Sequence, residues 1–545
     1  MTNYSDESLS SIGTYLAEVK ETLADLNRRD VIARIWQKDH TVWKPDPTEI
    51  TNRLGWLSIT QSMSQQVPAL QSFAQEIRDD GFRHVVLLGM GGSSLGPEVL
   101  RQTFGSAPGY PELIVVDSIL PASVQAAAET IDPLHTLFLV SSKSGTTTEP
   151  LSLFQYFRSL VASAVGKEKA GNNFVAITDP GTPLAKLAEE AGFRRVFLNP
   201  ADIGGRYSIL SYFGLVPAAL IGIDIAMLLG QADSIRKKCN VPTPASENPG
   251  AWLGAVIGTL ALRGRDKLTL VTSPAISSFG LWVEQLIAES IGKEGKGIIP
   301  IVGEPLVDAA HYGDDRLFIC LRLEDDDNYT IDAALDSIKS SGQPVVTIDL
   351  RDRFDLGAEF FRWEFAAAVA GAILSINPFD QPNVQAAKDA TERLLRKYIA
   401  SGLLPEVEAT DSIAGLLAEV ENGKYFAIMA YVRQTPEVDM VFSELRQKII
   451  ERYGIATTLG YGPRYLHSTG QLHKGGPNKG LFLQVTAGHD RDVPIPGKPY
   501  TFGVVANAQA LGDLQALQQL RRRVARIHLG QENAAAISRI VNGVT

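Results

Sequence analysis

Short, almost unbroken apolar runs recur along much of the chain at intervals long enough to hold a helix. Four of them, His84-Val85-Val86-Leu87-Leu88-Gly89, Leu113-Ile114-Val115-Val116-Asp117, Leu137-Phe138-Leu139-Val140-Ser141 and Phe174-Val175-Ala176-Ile177-Thr178, fall between residues 84 and 178. A strand that is apolar at every position is covered on both faces, and such strands alternating with helix-length segments predict a parallel sheet clothed by helices. The alternation restarts after Val241-Pro242-Thr243-Pro244, with strands predicted at 268–272, 316–323 and 345–350. It restarts again from Tyr425-Phe426-Ala427-Ile428-Met429 through Leu481-Phe482-Leu483-Gln484-Val485. Before residue 60 the apolar positions Leu9, Ile12, Tyr15, Leu16 and Val19 follow helical spacing instead. The pattern therefore predicts an α/β chain: a helical segment over 1–60, α/β domains over 61–240 and 241–400, and a C-terminal α/β domain over 401–545.

Length agrees, since 545 residues exceed what one hydrophobic core supports. With 45% hydrophobic and 21% charged residues the composition is that of an ordinary globular protein. The longest apolar stretch, around Gly214 to Gly230, is interrupted by Pro217 and Asp224 and reads as a buried helix, not a bilayer span. Met1 to Glu7 hold no basic segment leading into an apolar one, which argues against a secretory signal. Two cysteines, Cys239 and Cys320, are too few for a disulfide framework or a zinc cluster, so a reducing, cytoplasmic setting is expected. A formal charge of −10 disfavours nonspecific attraction to nucleic acid, while leaving room for a small anion in a cleft.

Ligands of open parallel sheets bind beyond the carboxyl ends of strands, which directs attention to two loops. The first, Gly89-Met90-Gly91-Gly92-Ser93-Ser94-Leu95-Gly96-Pro97, offers glycines for close backbone approach and amides at a helix start. The second, Ser141-Ser142-Lys143-Ser144-Gly145-Thr146-Thr147-Thr148-Glu149-Pro150, supplies hydroxyls, an ammonium and a carboxylate directly after a buried strand. Any one hydroxyl could serve only to cap the next helix; the cluster as a whole suits a phosphate. Gly89-x-Gly91 with Asp117 partly matches a dinucleotide fingerprint, but Ser94 stands where the third glycine belongs.

Taken together the two loops resemble the sugar isomerase (SIS) domain. Gly204-Gly205-Arg206-Tyr207-Ser208-Ile209-Leu210-Ser211, Ala288-Glu289-Ser290-Ile291-Gly292-Lys293, and Asn377-Pro378-Phe379-Asp380-Gln381 followed by Lys388 are similar, in that order, to the signature segments of the glucose-6-phosphate isomerase family. The tail, with Gly462-Pro463-Arg464-Tyr465-Leu466-His467-Ser468-Thr469-Gly470-Gln471-Leu472-His473-Lys474, resembles the tail of the isomerase half of bifunctional transaldolase/glucose-6-phosphate isomerase proteins. Transaldolase activity is not expected.

The resemblance implies two doubly wound SIS domains and interconversion of glucose 6-phosphate and fructose 6-phosphate through a cis-enediol. It makes Glu289 the base, and the residues concur: Leu281, Leu286 and Ile287 predict a helix ending at Gly292, whose negative end should raise the carboxyl's basicity. It makes Arg206 the cation facing the developing oxyanion, and Lys388 and His311 the ring-opening pair, with His467 and His473 as alternatives. Phosphate and sugar would be held by Gly92, Ser93, Ser142, Lys143, Ser144, Thr147 and Glu149, with His473 and Lys474 closing over the site from a mobile Gly-rich loop. In the family the histidine comes from the other subunit, which implies a homodimer. No metal, cofactor, membrane or nucleic-acid partner is expected. The competing readings are an isomerase that also accepts mannose 6-phosphate, a noncatalytic sugar-phosphate sensor, and a nicotinamide oxidoreductase.

Overall fold

The computed structural model describes residues 11–489, 491–530 and 534–544; Leu9 of the predicted helical pattern lies outside them. Three parallel sheets form. The first has five strands, β1 (His84–Leu88), β2 (Glu112–Val116), β3 (Thr136–Ser141), β4 (Phe174–Thr178) and β5 (Arg195–Leu198), in the order β2-β1-β3-β4-β5. The second, β6 (Lys267–Thr272), β7 (Ile299–Val302), β8 (Arg316–Leu323) and β9 (Val345–Leu350), runs β7-β6-β8-β9. The third, β10 (Tyr425–Tyr431), β11 (Ala456–Tyr461), β12 (Gly480–Ala487) and β13 (Arg523–Leu529), repeats that order as β11-β10-β12-β13. In each sheet the strand order reverses at its first strand, and the loops leaving that strand and the next-but-one face a common crevice.

Each strand's alternate side chains enter different cores, which is why the strands read as continuous apolar runs. Val85 and Leu87 join a large cluster with Leu268, Leu270, Ile319 and Leu321 of the second sheet, whereas Val86 and Leu88 face the opposite side. The shared cluster also takes in Ile12, Val19, Leu23 and Trp56, so the N-terminal helices, including Leu16–Arg28, are built into the centre of the molecule. Its middle is the helix Leu356–Leu374, packed along Pro249–Leu262.

Four strands escape the apolar-run pattern: β5, β7, β11 and β13. All are sheet edges. An edge strand shares fewer neighbours, and these four carry Arg195, Pro300, Thr457 with Thr458, and Arg523 with Arg526. The long stretch around Gly214 also divides, into helices Tyr212–Leu220 and Ile225–Lys238 with Pro217 inside the first.

The third unit is not an appendage. Val493, Ile495, Phe502, Val505 and Ala506 pack into the core on the outer face of the first sheet, beside Val86, Phe138 and Phe174. Tyr425, Met429 and Phe482 share a core with Ala288, Ile299 and Ile301. The helix Gln385–Ser401, which precedes the third sheet in the chain, lies along Phe502–Gln519. Both cysteines are unpaired and buried, and burial pushes each thiol up to about 12. No described helix is long and apolar enough to cross a membrane.

Candidate active site

The loops after β1 and β3 leave the switch point of the first sheet, as the chain pattern implied. The first turns at Gly91–Ser93 with Gly91 at φ +54°, a left-handed conformation that glycine adopts without strain. A Cβ on Gly92 would stand 2.0 Å from the Gly205 carbonyl oxygen, so the Gly91 and Gly204–Tyr207 loops press backbone on backbone. Ser141 Oγ donates to the Ser93 carbonyl at 3.2 Å, tying the first loop to the second. There, Ser142 Oγ meets Thr147 Oγ1 at 3.0 Å and accepts from the Gly145 amide at 3.2 Å, while Ser144 Oγ meets Thr146 Oγ1 at 2.9 Å. Lys143 is turned aside to Asp179 and the Ala201 carbonyl.

Glu289 lies in the last turn of the helix Phe279–Ile291 and is almost fully buried. Arg206, from the short turn Gly205–Tyr207, reaches its Oε2 at 3.3 Å. Burial raises the Glu289 carboxyl above its ordinary range and outweighs the opposing charge of Arg206. The guanidinium is immobilised on other acceptors, Ser290 Oγ at 2.8 Å, the Pro378 carbonyl at 2.6 Å and the Asp380 carbonyl at 3.0 Å. One helix turn back, Gln285 Nε2 lies 3.4 Å from Glu289 Oε1 and donates to the His467 carbonyl at 2.9 Å.

A second cation completes this cluster. Lys293 Nζ is buried and donates to Asn377 O at 2.8 Å, Asp380 O at 2.6 Å and Asp380 Oδ1 at 2.7 Å. Burial, joined by the charge of Arg206, holds its amine down at about 7. Lys388, expected from the family's pattern to be the active-site lysine, is instead exposed on the first turn of Gln385–Ser401, with no side-chain hydrogen bond or ion pair among the described residues. Eight residues past Asp380 the chain has already turned into a helix whose inward positions are Ala387 and Ala390, so position 388 faces outward.

The histidines also redistribute. His311 is half-buried in the turn Ala309–His311, against the helix Pro436–Tyr453. His473 and Lys474 do not form a mobile loop: they lie in the short helix Gly470–Gly475 and turn into the third unit. His473 packs edge-on against Phe482, and burial pushes its imidazole down to about 3. Lys474 pairs with buried Asp513 at 2.5 Å. His467, by contrast, meets the second loop, with Nε2 at 2.8 Å from Glu149 Oε1. Glu149 also accepts from Gln509 Nε2 at 2.6 Å. Burial alone would raise the Glu149 carboxyl, but the charge and hydrogen bond of His467 prevail and hold it at about 2. Gln285, Lys293 and Gln509 were given no role by the sequence reading. The i, i+4 spacing of Gln285 and Glu289 on one helix could have flagged the first; nothing local announces the last.

Among the described residues no group of three or more His, Cys, Asp or Glu is placed to hold a metal ion. Residues 58–297 match the family model of phosphoglucose isomerase. Relatives named glucose-6-phosphate isomerase include those of Staphylococcus saprophyticus, 30% identical over 63% of this chain and 87% of its own, and Streptococcus pyogenes serotype M18, 30% identical over 65% and 90%. In solved structures, a glucose-6-phosphate isomerase from Chlamydia trachomatis shares the fold at TM-score 0.58 and 20% identity, over 70% of this chain and 86% of that one. A Thermus thermophilus protein does so at TM-score 0.61 and 23% identity, over 70% and 98%.

Paired doubly wound sheets with that ancestry place the chain in the class of α/β isomerases. Within the class, identity sustained over nearly the whole length of those relatives settles the membership: the chain belongs to the phosphoglucose isomerase family.

Proposed function

We propose that this isomerase interconverts glucose 6-phosphate and fructose 6-phosphate, a step shared by glycolysis and gluconeogenesis. The observation that carries the reading is the buried pair of Glu289 and Arg206, 3.3 Å apart, with the carboxyl raised by burial and the guanidinium fixed by three other acceptors. Moving a proton between C2 and C1 needs one base that can reach both carbons, and a carboxylate whose basicity is raised is suited to it. As the proton leaves C2, charge builds on the carbonyl oxygen, and a guanidinium that need not reorient stabilises the enediolate. A proton passes from the C2 hydroxyl to O1, and returning the abstracted proton to C1 as the C2 carbonyl forms gives the ketose.

The phosphate is assigned to Gly92, Ser93, Ser142, Ser144 and Thr147, with Lys143 swinging from Asp179 as a supplementary cation. Amides and hydroxyls at a switch point provide these donors without metal, and the protein is proposed to act in the cytoplasm as a homodimer with no cofactor. The deciding experiment is a coupled assay of the chelator-treated protein with fructose 6-phosphate, beside mannose 6-phosphate. Turnover of the first is expected, falling by about 10² to 10⁴ in Glu289→Gln. Near-normal turnover in a folded Glu289→Gln protein would remove Glu289 from the mechanism, and binding without turnover in the wild type would favour the sensor.

A further inference from the structure

Three strands from two sheets point their carboxyl ends into one cavity that none of the residues assigned to the isomerase reaction lines. Asp117 follows β2, Val432 follows β10 and Gly462 follows β11, and all three border a space of about 330 Å³. Open parallel sheets take their ligands beyond such strand ends, and small-molecule pockets run from about 300 to 1,000 Å³. We propose that this cavity binds a ribonucleoside monophosphate, with Asp117 holding the ribose diol and arginines of the third unit holding the phosphate.

Asp117 is the acceptor. It is buried, its Oδ2 receives no hydrogen bond, and Arg464 Nε stays 3.7 Å away. Burial raises its carboxyl against the opposing charge of Arg464. An acceptor buried without donors is costly, and a vicinal diol brings two hydroxyls to one carboxylate. The other acid on the cavity, Glu98, is already engaged, since Arg101 donates to both its oxygens at 2.7 Å. An acid ending the second strand is also the group that takes the ribose in dinucleotide folds, and the isomerase reaction leaves it unused here. A whole dinucleotide would need its pyrophosphate on the glycine loop after β1. There a Cβ on Gly91 would stand 2.7 Å from the His467 carbonyl oxygen, so protein backbone already lies against that loop and the cavity is left for a mononucleotide.

The remaining walls supply the other two parts of such a ligand. Ile114 on the edge strand β2, Ala126 on the helix Pro121–Thr130 and Val432 make an apolar surface for the base. Arg433 and Arg464 bring cations from the loops after β10 and β11. The Arg464 guanidinium donates to Gln434 Oε1 and lies 5.9 Å from the centre of the Tyr461 ring, whose hydroxyl is fixed on Asp439 at 2.5 Å. A guanidinium resting on a neutral amide gains by exchanging it for a phosphate, where the contact is charge-assisted and bidentate. A sugar phosphate would leave the apolar surface bare, and an inorganic anion would leave Asp117 without donors as well.

Calorimetric titration of the chelator-treated, full-length protein with AMP, GMP, CMP and UMP tests the site. At least one is expected to bind with Kd below about 1 mM. Its 2′-deoxy form, which lacks the diol, and ribose 5-phosphate, which lacks the base, are expected to bind at least about tenfold more weakly. Asp117→Ala and Arg433→Ala should each weaken the nucleotide at least about tenfold. Arg433 is exposed, so its replacement reads the site even where Asp117→Ala does not fold. Saturating fructose 6-phosphate should leave the nucleotide Kd unchanged. Absence of binding by all four nucleotides up to about 1 mM, equal affinity for the 2′-deoxy form, wild-type affinity in Arg433→Ala, or displacement by fructose 6-phosphate would each overturn the assignment. None of these readouts is turnover, so failure of the isomerase proposal would leave them standing.

Discussion

Lys293 and Glu284 are single residues whose surroundings set measurable behaviour. The Lys293 ammonium binds two carbonyls and a carboxylate of the Asn377–Asp380 loop, the loop that also anchors Arg206. Lys293→Met would strand those acceptors, at about 1–3 kcal/mol, and let the Arg206 anchor drift. The expected outcome is a lower melting temperature and a kcat reduced about tenfold with KM little changed, as for a group acting in the transition state. Glu284, beside Arg446, Arg464 and Ser468, has its carboxyl pushed up to about 7 by burial, which outweighs those two charges. Below its unfolded value near 4.5 both states hold the proton; between there and about 7 only the folded state does, so stability falls as pH rises across that window. Glu284→Gln should flatten that fall in a series of melting temperatures from pH 4.5 to 7.5, with a gain near neutrality of about 1–2 kcal/mol. At this scale Glu289 and Arg206 were legible because each sits inside a distinctive local segment. Lys293 stood in the same segment as Glu289 and was passed over, since spacing along a chain does not say which of several lysines turns inward.

Strands and loops show the same division between local and distant causes. The covered strands announced themselves by apolar runs, whereas β5, β7, β11 and β13 carry charges, a proline or threonines that edge positions tolerate. The two loops leaving β1 and β3 were found from their glycines and hydroxyls, yet the need for Gly92 in particular emerges only in three dimensions. Its virtual Cβ meets the Gly205 carbonyl, which is backbone and cannot swing away. Gly92→Ala should therefore part the two loops, destabilising the protein by about 1–3 kcal/mol and raising KM for the sugar phosphate. Normal KM and melting temperature would mean that the loops can separate at little cost. The helix Gly470–Gly475 was misread as a mobile loop because glycines and cations dominate its sequence; Asp513, far along the chain, is what draws Lys474 inside.

Over the whole molecule, the third unit contributes apolar residues to the cores of both other sheets. Deleting residues 402–545 would uncover the faces now under Phe502, Val505 and Phe482, so the truncated chain is expected to aggregate, as sedimentation would show. A soluble, active fragment would contradict this. The three alternating segments were visible in the sequence, but their interleaving was not, because periodicity reports that a face is covered and not what covers it. That interleaving also bears on how the chain is born. Val493 leaves the ribosome about 300 residues after β5, a delay of roughly 15–60 s at ordinary synthesis rates. Until then the first sheet waits with one face partly bare, a natural client for a holding chaperone. A nascent chain stalled at residue 400 should accordingly be cut within residues 84–198 by a protease that the released protein withstands.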